Sequence, residues 1–169
     1  MGRRIRQPVI HQTDIDWLMA VAKPVPDLGW RSRLLPLTTT PMSRVRTLAL
    51  GELPEGQPLG GYLSIYCREG KAFAPGDWST GLIYTDYDER SYPVLRCNGA
   101  HQTVHTNALE GDSFIGVRHI HFLTQRYQEA GILNSGYAEP TDAYTTLEGA
   151  LDHLADLANL TPTQGTLWR

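Results

Sequence analysis

Cysteine is nearly missing from this chain of 169 residues: there are two, Cys67 and Cys97. Without a C-x-x-C spacing they exclude a disulfide framework and a cysteine-built zinc site. Long apolar runs are missing too; none approaches the roughly 20 residues of a membrane-spanning helix. The opening stretch, M-G-R-R-I-R-Q-P-V-I-H, carries charge but no apolar core, so it does not read as a secretory signal. No membrane contact and a cytoplasmic location are the resulting expectations. Internal repeats and low-complexity segments are absent. A strong charge of one sign is also lacking: the formal net charge is −3, which argues against tight non-specific nucleic-acid binding through many phosphate contacts.

What is present describes one ordinary globular domain, 41% apolar and 20% charged, with residues 1–12 and 161–169 expected to be loose. The modest net charge is unevenly placed, +5 over residues 1–50 and −8 over residues 51–169. Such asymmetry suits a basic face toward an anionic partner, or ordinary scatter of surface charge.

The pattern predicts a helix from Asp14 to about Ala22, capped by Thr13 or Asp14, with Trp17, Leu18 and Val21 at helical spacing, and stopped by Lys23-Pro24. Residues 27–43 read as irregular. Four strands follow, from Arg44 to about Leu50, Leu59 to Arg68, Trp78 to Tyr87 and Tyr92 to Cys97. Their short links predict an antiparallel meander. Arg118 to Ala130 reads as helix, with Ile120, Leu123, Thr124, Tyr127 and Ala130 on one stripe and Gly131 as its stop. A last helix runs from Thr146 to about Asn159, carrying Leu147, Ala150, Leu151, Leu154, Leu157 and Ala158. Strands followed by helices predict an α+β fold: a sheet of about four strands, with the N-terminal helix and two C-terminal helices packed on one face.

Pleat alternation then assigns faces. If Leu63, Ile65, Cys67, Leu95 and Cys97 cover the core, the other face shows Tyr62, Tyr66, Arg68 and Arg96, with Tyr92 and Val94 beside Arg96. An aromatic, cationic floor suits an anionic ligand; an ordinary half-exposed sheet face carries the same residue types.

Four of the six histidines crowd into one stretch, His101 and His105 as H-x-x-x-H, His119 and His121 as H-x-H. Arg96 and Arg118 precede the two pairs. Three readings compete. In an extended segment His101 and His105 would stand about 13 Å apart, too far to share a metal ion directly. Loop imidazoles satisfied by backbone carbonyls would be structural. Two imidazoles acting as acid and base, with arginines against the phosphorane charge, would cleave a phosphodiester without metal. In that reading His101, His105, His119 and His121 are the acid–base candidates, Arg68, Arg96 and Arg118 bind phosphate, and Tyr62, Tyr66 or Tyr127 stacks on a base. No cofactor is called for. The paired triplets His11-Gln12-Thr13 and His101-Gln102-Thr103 resemble the H-x-T motifs of two-histidine phosphoesterases, but they lack the flanking strand pattern.

Trp78-Ser79, the segment L-R-C-N-G-x-H-x-x-x-H-T-N (Leu95 to Asn107), H-I-H-x-x-T-x-R-Y-Q (His119 to Gln128) and Y-A-E-P-T-D-x-Y (Tyr137 to Tyr144) together resemble a family of small prokaryotic proteins with no settled activity. The H-I-H entry is similar, more faintly, to TumE-type toxins. The resemblance spans residues 62–158 and implies a context of mobile elements, defence or toxin–antitoxin pairs, with an antitoxin or other protein as a partner. Family members often carry glutamate where Gln125 stands, which removes one potential acid or ligand. The resulting expectation is an RNA- or nucleotide-directed, metal-independent phosphodiesterase of toxin or defence type. A non-enzymatic module that binds a nucleotide or a protein is the alternative.

Overall fold

The computed structural model describes residues 8–35, 44–70, 76–132 and 136–162. Helix α1 (Gln12–Ala20) leads into strand β1 (Lys23–Val25) and a one-turn helix α2 (Trp30–Leu34). Strands β2 (Arg44–Glu52), β3 (Tyr62–Glu69), β4 (Trp78–Thr85) and β5 (Ser91–Asn98) form the expected antiparallel meander. A small hairpin of β6 (His105–Asn107) and β7 (Asp112–Phe114) follows. Then come β8 (His119–Phe122), α3 (Gln125–Glu129), β9 (Tyr137–Pro140), α4 (Leu147–Leu157) and β10 (Leu160–Pro162). The main sheet has six strands in the order β2-β3-β4-β5-β8-β9, all antiparallel. The α+β class stands; the sheet is two strands wider than expected. No helix among the described residues is long and apolar enough to cross a membrane.

The two added strands correct the reading of Arg118 to Ala130. His119–Phe122 is strand β8, zipped to β5 on one side and β9 on the other, and the helix begins only at Gln125. With a neighbour on both edges, successive backbone amides of H-I-H-F face β5 and β9 in turn, so each has a ladder strand beside it. The ladder outweighs the weak helical stripe.

Leu63, Ile65, Cys67, Leu95 and Cys97 are buried in the core, as the pleat requires. Tyr92 and Val94 are buried as well, against expectation. The β4–β5 register shifts between Leu82 and Ile83, which pair with Leu95 and Pro93. Val94 is the extra residue of that bulge, so alternation before it is inverted. Tyr92 therefore turns to the core, 5.8 Å from the ring of Tyr84.

Helix α4 covers this face. Thr146 caps it through the amide of Gly149 at 3.0 Å, and Leu147, Ala150, Leu151, Leu154 and Ala155 are buried, while Leu157 stays exposed. Truncating Leu154 to Ala would cost about 2–5 kcal/mol. Ile15 and Leu18 of α1 and Trp30 and Leu34 of α2 join the same apolar cluster. Helix α3 does not: its Tyr127 is buried against Tyr137 of β9 and donates its hydroxyl to Glu110 beside the β6–β7 hairpin.

Of the terminal stretches expected to be loose, residues 1–7 and 163–169 lie outside the described residues; the described residues beside them are anchored. Ile10 is buried, and its amide donates to Gln128 Oε1 at 2.9 Å. β1 pairs in parallel with β10, Lys23 opposite Leu160. The buried Lys23 ammonium donates to the carbonyls of Val21 at 2.7 Å and Ala158 at 2.5 Å, tying the ends of α1 and α4 together.

Candidate functional site

The face opposite the helices is organised as two cross-strand rows. Ladder pairing sets Arg68 beside Ser79, Ser79 beside Asn98, and Asn98 beside His119. One pleat along, Tyr66 stands beside Gly81, Gly81 beside Arg96, and Arg96 beside His121. Each row therefore runs from a tyrosine or arginine on β3 to a histidine on β8. Gly81 is needed where it stands: a Cβ there would lie 2.6 Å from the Tyr66 ring and 2.8 Å from the Leu95 carbonyl. Its missing side chain lets the Tyr66 ring lie over β4 toward Arg96.

At the β8 end the histidines are packed together. Ring centroids are 4.6 Å apart for His105 and His121, 4.9 Å for His119 and His121, and 5.0 Å for His101 and His119. The β6–β7 hairpin closes over them, placing Phe114 5.0 Å from His105 and 5.2 Å from His119. His105, His119 and His121 are only 6%, 2% and 7% exposed. His119 Nδ1–H donates to the Val117 carbonyl at 2.9 Å, so its Nε2 is the acceptor for Asn98 Nδ2 at 3.1 Å. Both nitrogens are committed in the neutral form, and burial pushes the imidazole pKa down from 6.5 to about 4. Asn107 pairs with the backbone of Ala138 through both ends of its amide, each at 2.9 Å. That fixes Asn107 Oδ1 as an acceptor, so His105 Nε2 is the donor in their 2.9 Å contact. Among the described residues, no three His, Cys, Asp or Glu side chains are placed to hold one metal ion.

At the β3 end the rows open into a cavity of about 450 Å³, lined by Tyr66, Arg68, Asp77, Ser79, Arg96, Asn98, His101 and Thr103. Arg68 is paired with Asp77 and donates from Nε to Ser79 Oγ at 3.4 Å. Arg96 has no carboxylate partner among the described residues, and its buried Nε–H has no acceptor there. Burial, with Arg68 adding to it, pulls Arg96 below the ordinary guanidinium value, but a guanidinium keeps its charge in proteins. The Tyr66 phenol is pushed up by burial and held back by Arg96 and a hydrogen bond with Ser79. His101 is the one member of the histidine group that lines the cavity. Its Nδ1 lies 3.3 Å from the Thr103 amide and its Nε2 3.3 Å from Asn98 Nδ2, so each ring nitrogen has a donor beside it and one of them holds the proton of the neutral ring.

Of the residues singled out by sequence, Tyr66, Arg68, Arg96 and His101 meet at this cavity, and His105, His119 and His121 stand behind it. Three lie elsewhere. Tyr62 is exposed and packs edge-on against Tyr87 at 5.8 Å. Tyr127 is buried, leaving no face for a base to stack on. Arg118 forms an ion pair with Asp142 at 3.0 Å and does not line the cavity. Asp77, Ser79, Asn98 and Thr103 were missed. Ser79 and Asn98 follow once β4 and β5 are in register; Asp77 and Thr103 lie on loops and leave no periodic signal.

Comparison with family models, curated proteins and solved structures gives no significant match. The resemblance to a small prokaryotic family rests on its motifs alone.

Proposed function

We propose that this chain binds a phosphate-bearing ligand, a nucleotide or a phosphate of RNA, in the cavity between Arg68 and Arg96. The observation that carries this reading is Arg96: a largely buried guanidinium on a polar cavity with no carboxylate beside it and an unanswered Nε–H. A buried cation without a counterion is costly, and an anionic ligand supplies the missing charge and acceptors. Tyr66, Thr103 and His101 are further polar groups around the same space. The volume falls within the range of small-ligand sites.

Calorimetric titration with mono- and cyclic nucleotides and a short RNA tests the reading. Wild-type protein is expected to bind at least one of them, and Arg96→Met to weaken that binding about 100-fold, as for loss of a buried charge-assisted contact. No binding by the wild type, or an unchanged affinity in Arg96→Met, contradicts it.

Hydrolysis is the second reading, and His101 supports it as the one imidazole that lines the cavity. The other three are shielded by the hairpin, so a two-histidine mechanism is the weaker form of this idea. Turnover of RNA or cyclic nucleotides in EDTA that is lost in His101→Gln, with binding retained, would support it; turnover indifferent to that change removes it.

A further inference from the structure

Resting on the proposed phosphate site, we infer that the cavity takes a singly charged phosphodiester rather than a doubly charged phosphate end. The charge balance of the lining carries this. Among the described residues, two guanidinium groups and one carboxylate face the space; Asp77 neutralises Arg68, so of these Arg96 alone is left to meet an anion. His101 is held neutral, first by burial and then by the neighbouring arginines, against the opposing pull of Asp77. His119 behind it is neutral as well, with both nitrogens occupied. Tyr66 is a phenol, kept protonated by burial. The net charge on the lining is thus +1.

A phosphodiester carries one negative charge and is balanced by this lining. A phosphate monoester carries nearly two at neutral pH. In a half-buried site its second charge would stay uncompensated. A second feature bears on the rest of the ligand. Asn98 Oδ1 is buried and accepts no hydrogen bond, because His119 fixes the amide with its NH₂ toward the imidazoles. It calls for a donor on the ligand, which a sugar hydroxyl supplies in a diester or a monoester alike and inorganic phosphate, without a sugar, does not, so the preference for a diester rests on the charge balance.

The test is calorimetry on the full chain at pH 8 with four probes: 3′,5′-cyclic AMP, the dinucleotide ApA, 5′-AMP and inorganic phosphate. At least one diester is expected to bind about tenfold or more tighter than 5′-AMP. Preference for cyclic AMP identifies a cyclic nucleotide as the source of the diester, and preference for ApA identifies an RNA step. Asp77→Asn, which raises the net charge of the lining to +2, is expected to strengthen 5′-AMP more than the diesters and so narrow or reverse the gap. A wild-type protein that binds 5′-AMP as tightly as both diesters overturns the inference while leaving the phosphate site standing. Failure to bind any of the four overturns both. If Asp77→Asn does not fold, the wild-type ratio decides.

Discussion

The β8 end and the β3 end of the open sheet face are built from the same two rows of side chains, yet their polar groups are treated in opposite ways. At the β8 end, His119 donates a hydrogen bond to Val117 and accepts one from Asn98, and His105 donates one to Asn107, all beneath Phe114. At the β3 end, Arg96 keeps a buried N–H without an acceptor, beside a cavity. Satisfied polar groups stabilise a fold; unsatisfied ones at a cavity are held ready for something else. Histidines crowd the first region, but the open hydrogen-bonding capacity lies in the second, with His101 and Asn98 between them.

Substitutions can break that contrast. The largest effect is expected from Arg96→Met: about 100-fold weaker ligand binding in calorimetry, with stability in urea unchanged or slightly raised, because an unpaired buried charge has been removed. His119→Ala should do the reverse in kind. It takes one hydrogen-bond partner each from Asn98 and Val117 and opens a void, so a loss of about 2–4 kcal/mol is expected in urea denaturation.

Acid should then pull the two regions apart. The folded-state pKa of His119 is about 4, below the 6.5 of the free imidazole. The unfolded chain therefore takes up this proton first, and the stability it represents is full above about pH 6.5 and falls as pH drops toward 4. About 2–3 kcal/mol of the acid sensitivity between these values is expected to come from His119. Urea midpoints at pH 7.5 and 4.5 check it against His119→Gln, which keeps one donor and one acceptor but does not titrate; an equal acid loss in both proteins would count against the assignment.

A smaller change is expected from Gly81→Ala. The new methyl displaces the Tyr66 ring from beside Arg96, and affinity should drop about tenfold, the scale of one lost contact. Smallest of all, Arg118→Ala and Tyr62→Ala should leave binding within about twofold; the ion pair with exposed Asp142 contributes at most about 1 kcal/mol to stability.

Much of the scaffold was legible because it obeys a short period. Leu63, Ile65 and Cys67 alternate as a half-buried strand must, and the Leu147-to-Leu154 stripe of α4 repeats every three to four residues. Tyr66, Arg68 and Arg96 could be placed on one face by parity alone. What failed did so where local pattern and tertiary pairing disagree. The bulge at Val94 inverted the first half of β5. H-I-H-F is a four-residue strand with buried side chains on both faces, so alternation is invisible and the spacing of Ile120, Leu123 and Tyr127 mimics a helix. The β6–β7 hairpin has strands of three residues, too short to show any period. The cavity itself depends on the register of four strands and on two loops, information that no single stretch of sequence contains.

The most direct test of the central claim, that the ligand enters at Arg96 and not among the buried imidazoles, is a ¹⁵N NMR titration that follows the arginine Nε–H and histidine ring signals as cyclic AMP is added. The Nε–H signal of Arg96 is expected to shift progressively and saturate while the ring signals of His105 and His119 stay in place. A saturating shift of His105 and His119 with Arg96 unmoved would contradict the claim.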